Sequence, residues 1–224
     1  MGTRPPVLLA PVEGMVAMAD DTSRGVREEA RPADPQARAH ADPAPVGLAG
    51  FALTTLLLSV INTGLLKEAG GILPVLALAA FYGGLAQFVA GLFEFRRGNT
   101  FGATAFMSYG AFWLTYWWLV QHVAGAGDVH NALGLYLLGW GIFTAYMAVA
   151  ALRVSVAVLA VLVLLTVTFV LLAAGEFQGG AGPSALTKVG GWFGIATGLV
   201  AWYASAAAVV NATHRRTVLP TGPR

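Results

Sequence analysis

Val154–Ala174 reads VSVAVLAVLVLLTVTFVLLAA, a stretch with no charged side chain. A helix of about 20 such residues crosses a hydrocarbon core of about 30 Å. A soluble core helix keeps one polar face, and this stretch has none. Five further stretches of the same kind flank it: Val46–Leu66, Gly71–Phe93, Phe101–Ala124, Asn131–Leu152 and Lys188–Val210. The connections between the six are short. Backbone amides and carbonyls inside lipid must bond to one another, which leaves helices or a closed barrel, and no alternating ten-residue segments support a barrel. The fold class is therefore all-α: a polytopic membrane protein with six transmembrane helices in one bundle.

Charge follows the same division. The chain has 224 residues, 57% hydrophobic and 11% charged, against a charged share of about 25% in ordinary soluble domains. Twelve charged residues lie in 1–42, and only nine lie between 43 and 214. Residues 1–41, rich in Pro, Ala, Arg and Glu, read as a disordered cytoplasmic tail. The transport domain is then 42–212, with a short cytoplasmic tail at 213–224. Ala17-Met18-Ala19 resembles a signal-peptidase triplet, but the apolar centre before it, Val7–Val12, is too short for a signal peptide. The net charge of +2 makes no nucleic-acid face. The absence of cysteine excludes thiolate chemistry and disulfides.

Lys and Arg near the span ends give the orientation. Six spans put the N-terminal tail, the second and fourth connections and the C-terminal tail on one side, with nine basic residues against Lys67 and Lys188 on the other. Both termini are expected in the cytoplasm, most simply at a bacterial cytoplasmic membrane. Gly190, Gly194 and Gly198 form overlapping GxxxG steps on the sixth span, and Gly83, Gln87 and Gly91 a small-polar-small face on the second. They fit packing within one subunit and contact between subunits equally well. Phe101-Gly-Ala-Thr104 is echoed by Phe193-Gly-Ile-Ala-Thr197, which suggests two three-span halves, necessarily inverted.

Catalytic patterns are absent. The four histidines lie in tails or loops, no HExxH or Ser/His/Asp arrangement occurs, and there is no Walker A or dinucleotide fingerprint. Neither an enzyme, a metal site nor a cofactor is expected. Uncharged polarity fills the spans instead, and Thr54, Thr55, Asn62, Gln87, Thr104 and Ser108 are the candidate polar lining. Ser and Thr in membrane helices often bond only to their own backbone. The amides of Asn62 and Gln87 must face other helices or water. Such a path offers hydrogen bonds without fixed charge and suits a small polar solute.

The second connection, Glu94-Phe95-Arg96-Arg97-Gly98-Asn99-Thr100, is the densest polar cluster. Gly98-Asn99 is read as its turn, Thr100 as the cap of the next helix, and Glu94, Asn99 and Thr100 as vestibule residues. On the third span Tyr109, Trp113 and Trp117 share a face, with Trp117 and Trp118 fitting an interfacial belt. The first span opens with Asp42-Pro43-Ala44-Pro45-Val46-Gly47-Leu48, a capping carboxylate followed by prolines in the first turn.

That last string resembles the Asn-Pro-Ala-Pro-Leu-Gly-Leu signature of the acetate uptake transporter family, the succinate–acetate permeases. Further matches are Phe81-Tyr-Gly-Gly-Leu-Ala-Gln87, Ala90-Gly-Leu-Phe-Glu94, Gly98-Asn-Thr-Phe-Gly-Ala-Thr-Ala-Phe106, Ser108-Tyr-Gly-Ala-Phe-Trp-Leu-Thr115 and Arg216-Thr-Val-Leu-Pro220. The resemblance covers about residues 42–221. It implies a six-helix subunit in a hexameric homo-oligomer, each subunit with its own path for acetate or a related short carboxylate, succinate included, by proton symport or as a channel. The family's apolar constriction falls by matching on Phe51 and Tyr109, and on Leu165 by counting forward from Trp140 and Thr144. The signature residues Pro43, Pro45, Gly47 and Leu48 match. The signature's Asn is Asp42 here, a carboxylate that fits a cap or entrance better than contact with an anion. Two other readings stand beside this one: a neutral-solute channel for water, ammonia or glycerol, and a non-transporting membrane subunit or sensor.

Overall fold

The computed structural model describes residues 41–66, 70–123, 129–180 and 182–222. All but the last residue of the expected tail at 1–41 lies outside the described residues, as do Lys67 and Arg224. Among the described residues six helices run α1 Ala44–Asn62, α2 Ile72–Arg96, α3 Thr100–His122, α4 His130–Ala151, α5 Val156–Phe177 and α6 Ala185–His214. Five are long and apolar enough to cross a membrane. The other, α3, has 23 residues and so the length, but its Tyr, Trp, Gln and His side chains lower its mean hydropathy. The chain is an integral, multi-pass membrane protein.

Sequence-local chemistry sets several helix starts. Asn99, Ser155 and Ser184 cap α3, α5 and α6 by accepting from the amides of Gly102, Val158 and Thr187. Thr100, expected to be the cap, is instead the first residue of α3. The turn before it passes through Gly98 at φ +73°, the left-handed region where glycine is favoured. α1 starts behind Pro43, and the Asp42 carboxylate accepts from the Ala44 amide at 3.1 Å. α2 is not uniform: Phe81–Ala86 forms a π turn within it.

Close approach of backbones organises the bundle. On α6, a Cβ at Gly194 would collide with the Ser59 side chain, and one at Gly198 would crowd Ala52 O and Leu56. These glycines therefore seat α6 on α1 within the subunit, which decides between the two roles open to the GxxxG steps. Gly83 of α2 meets Thr54 and Trp113, and Gly91 meets Met107 of α3. In chain order α1 packs on α2 and α2 on α3, then α4 on α5 and α5 on α6, with α1 against α6 closing the arrangement.

The described part of the C-terminal segment is a strap, not a loose tail. Asn211 holds the Val218 and Leu219 amides and the Leu219 carbonyl, and Tyr203 Oη donates to Pro220 O. The carbonyls of Thr221 and Gly222 accept from the Ala157 and Val156 amides. These are first-turn amides of α5, which have no partner within their own helix.

Candidate functional site

Phe51 on α1, Tyr109 on α3 and Leu165 on α5 come together near the centre of the bundle, each no more than 4% exposed. The Phe51 and Tyr109 rings lie 5.7 Å apart between centroids, tilted by 51°. Tyr109 is fixed from behind, with its phenol donating to Thr144 Oγ1 at 3.0 Å and its ring edge-on to Phe143. Thr144 in turn donates to Trp140 O at 2.7 Å, so the pair is satisfied without a water.

A cavity lies on each side of this trio. The wider, of about 300 Å³, extends to the end of the bundle where α1, α3 and α5 finish, and its walls include Phe51, Leu165, Thr55, Ser59, Asn62, Thr168 and Glu176. The narrower, of about 120 Å³, reaches the opposite end and is lined by Phe51, Tyr109, Leu165, Leu48, Gln87, Glu94 and Asn99 among others. Phe51 and Leu165 belong to both walls. Among the described residues, no Lys or Arg lines either cavity.

The expected polar lining divides. Thr55, Asn62 and Gln87 line the cavities. Thr54 is fully buried and donates to its own helix at Gly50 O, 2.8 Å away. Thr104 and Ser108 line neither cavity. They sit in a separate groove with Phe95, Gly98 and Thr100, because α3 turns about 100° between Ser108 and Tyr109 and can present only one of them to the centre. Thr100 goes with them, away from the narrow cavity. Trp113 is buried, at 2% exposure, whereas Trp117 and Trp118 are 37% and 52% exposed.

Among the described residues, four buried side-chain polar atoms have no hydrogen-bond partner: Thr55 Oγ1, Trp113 Nε1, Gln87 Oε1 and Glu94 Oε1. Thr55 and Trp113 border the wide cavity, Gln87 and Glu94 the narrow one. Burying a polar group without a partner is costly, and a solute or water in the cavity would relieve it. Thr55 and Trp113 offer an O–H and an N–H donor, which suits a carboxylate.

Glu94 is completely buried at the end of α2. Its Oε2 accepts from Asn99 Nδ2 at 2.8 Å, and the Arg97 guanidinium is 3.9 Å from its Oε1. Arg97 is turned mainly to Asp42, at 2.6 Å. Asp42 thus ties the start of α1 to the α2–α3 turn; the N-cap of α1 is Pro43, not the carboxylate read there from the sequence, and Asp42 reaches the Ala44 amide from one residue further out. The other signature residues pack this same corner. Pro43 is buried, Pro45 O accepts from Ser205 Oγ at 2.7 Å, Gly47 leaves room for the Phe106 ring, and Leu48 lines the narrow cavity. Among the described residues no three His, Asp or Glu side chains gather as a metal site.

A model of the GPR1/FUN34/yaaH family matches residues 26–223. The chain belongs to this family. Among its GPR1/FUN34/yaaH relatives is the succinate-acetate/proton symporter SatP of Escherichia coli (strain K12), 45% identical over 185 residues, covering 81% of this chain and 95% of that one. The ammonia transport outward protein 2 of Saccharomyces cerevisiae is 40% identical over 181 residues, covering 76% of this chain and 62% of the relative. Among solved structures, that of the bacterial acetate channel SatP superposes with a TM-score of 0.74 at 44% identity, covering 82% of this chain and 99% of the other.

Proposed function

We propose that this protein carries acetate and related short carboxylates, succinate among them, across the membrane in a proton-linked manner, and that it is not an enzyme. The observation that carries the reading is the pair of cavities entering from opposite ends and sharing Phe51 and Leu165 as walls. A small solute crosses from one to the other past the Phe51, Leu165 and Tyr109 side chains. The walls bind weakly through their chemistry: hydroxyl, amide and indole donors, with no cation among the described lining residues to trap an anion. A carboxylic acid in its neutral form passes an apolar neck at far lower desolvation cost than its anion, which links flux to protons. The Glu94 carboxyl, with one oxygen free of hydrogen bonds, lines the narrow cavity on that route.

Both termini face the cytoplasm in this reading, on the strength of the Lys and Arg asymmetry. The subunits assemble as a homo-oligomer, a hexamer by resemblance, each with its own path. A neutral-solute channel is the second reading, favoured by the ammonia-transport name of one relative. The test is uptake of labelled acetate by proteoliposomes with and without an inward proton gradient. Saturable acetate uptake that the gradient accelerates supports the proposal. Ammonia or glycerol flux without acetate flux supports the second reading.

A further inference from the structure

The wide cavity, of about 300 Å³, is far larger than acetate needs, and its polar and apolar parts lie at different depths. Thr55 stands four residues past Phe51 on α1, and Trp113 four past Tyr109 on α3, so both unpartnered donors sit about 6 Å beyond the neck. The next layer is made of Leu58, Leu119, Val120, Leu133, Leu137 and Leu172, from α1, α3, α4 and α5. Leu58 and Leu172 are seven residues, about 10 Å, past Phe51 and Leu165. α4 runs the other way, and its Leu137 and Leu133 precede Phe143, the ring packed on Tyr109, by six and ten residues. Ser59, Tyr116 and Tyr136 are interspersed in this layer, with the Tyr136 hydroxyl 2.7 Å from Thr115 Oγ1. Asn62 and Glu176 mark its outer edge, each eleven residues, about 16 Å, past its neck residue.

We propose that this cavity binds saturated monocarboxylates of about six to eight carbons, the carboxylate on Thr55 and Trp113 and the chain along the Leu and Val layer, in competition with acetate. The inference rests on the carboxylate-transport reading and adds a ligand class longer than the short acids of that reading. A small-molecule pocket is mostly apolar, with a few polar groups that fix orientation. Here those groups are a hydroxyl and an indole N–H, both buried and without partners. Both donate, so they take the carboxylate end. The chain then extends outward, because Phe51, Tyr109 and Leu165 narrow the inner end. From the donors to the outer edge is about 10 Å, the extended length of about eight carbons. Acetate ends at one methyl and leaves the layer uncovered.

Each methylene that leaves water for this layer tightens binding by about three- to fourfold. The gain stops where Asn62 and Glu176 begin, since a longer chain meets an amide and a carboxylate there. Partition into the bilayer also strengthens with chain length, but it has no such limit and does not respond to side chains inside the cavity.

The test is inhibition of labelled acetate uptake into proteoliposomes by unlabelled butyrate, hexanoate, octanoate and decanoate, at the same neutral pH inside and out. These acids share one acidity, so all four are present as anions to the same extent. Wild-type inhibition constants should fall about three- to fourfold per methylene as far as octanoate and level off at decanoate. Leu137→Asn, which puts an amide into the layer, should flatten that dependence. Thr55→Val should weaken all four acids by one common factor of about three to ten. A wild-type series without chain-length dependence, or one that keeps its slope through decanoate, overturns the proposal. So does a slope in Leu137→Asn equal to that of wild type, or no shift in Thr55→Val. If Leu137→Asn does not insert, Leu137→Phe, which stays apolar and fills the space, should weaken octanoate more than butyrate, and equal weakening of the two overturns the proposal. Absence of wild-type acetate uptake overturns the transport reading instead. The same chain-length series is then read by calorimetric titration of the protein in lipid nanodiscs, under the same criteria.

Discussion

Thr54 and Thr55 are neighbours with opposite fates. The first hydroxyl is spent on Gly50 O, and the second is buried beside the wide cavity with no partner. Thr55→Val keeps the shape and removes only the orphaned hydroxyl, so the melting temperature should hold or rise. Acetate affinity should fall, with KM for uptake rising about three- to tenfold if that hydroxyl serves the carboxylate. An unchanged KM would take Thr55 out of the path. Tyr109→Phe makes a different cut. It loses the hydrogen bond to Thr144, worth about 1 kcal/mol, but Thr144 keeps its bond to Trp140 O and no donor is stranded. Denaturation in detergent should show that modest loss, while the exclusion of larger acids persists because the ring remains.

At the scale of elements, the glycines of α6 carry the sharpest expectation. A leucine at 194 has to displace Ser59 of α1, so Gly194→Leu should lower the melting temperature of the subunit itself. Unchanged melting with altered assembly would place that face between subunits instead. The six spans were legible in the sequence because lipid demands about 20 apolar residues per crossing, and α1 to α6 fall where those stretches lie. Which face of each helix points inward was less legible, since nearly every side is apolar. Thr104 and Ser108 show the cost of choosing by residue type: their spacing of four puts them on one face, and Tyr109, one step on, is on another. Helical phase alone could have separated them. The constriction residues came from family resemblance, with no local signal marking Phe51 or Leu165 among many similar side chains. The Asp42–Arg97 and His130–Glu176 pairs join residues 55 and 46 positions apart, and nothing in spacing predicts such contacts.

For the whole molecule, the proposed orientation rests on the basic residues at the end where α1 begins and α6 finishes. Because the chain has no cysteine, single cysteines at Ser23 and Gly125 report sidedness cleanly. An impermeant thiol reagent on intact cells should label position 125 and spare 23, and the reverse would invert the topology. The central claim is that the two cavities form one path whose neck is made by Phe51, Tyr109 and Leu165. Its most direct test is the ratio of lactate to acetate uptake in proteoliposomes of Phe51→Ala and Leu165→Ala. Such truncations typically cost about 2–5 kcal/mol of stability, so rates are normalised to folded protein. The account predicts a higher ratio than wild type in both variants, as the wider neck admits the bulkier acid. An unchanged ratio in both, with folding confirmed, would contradict it.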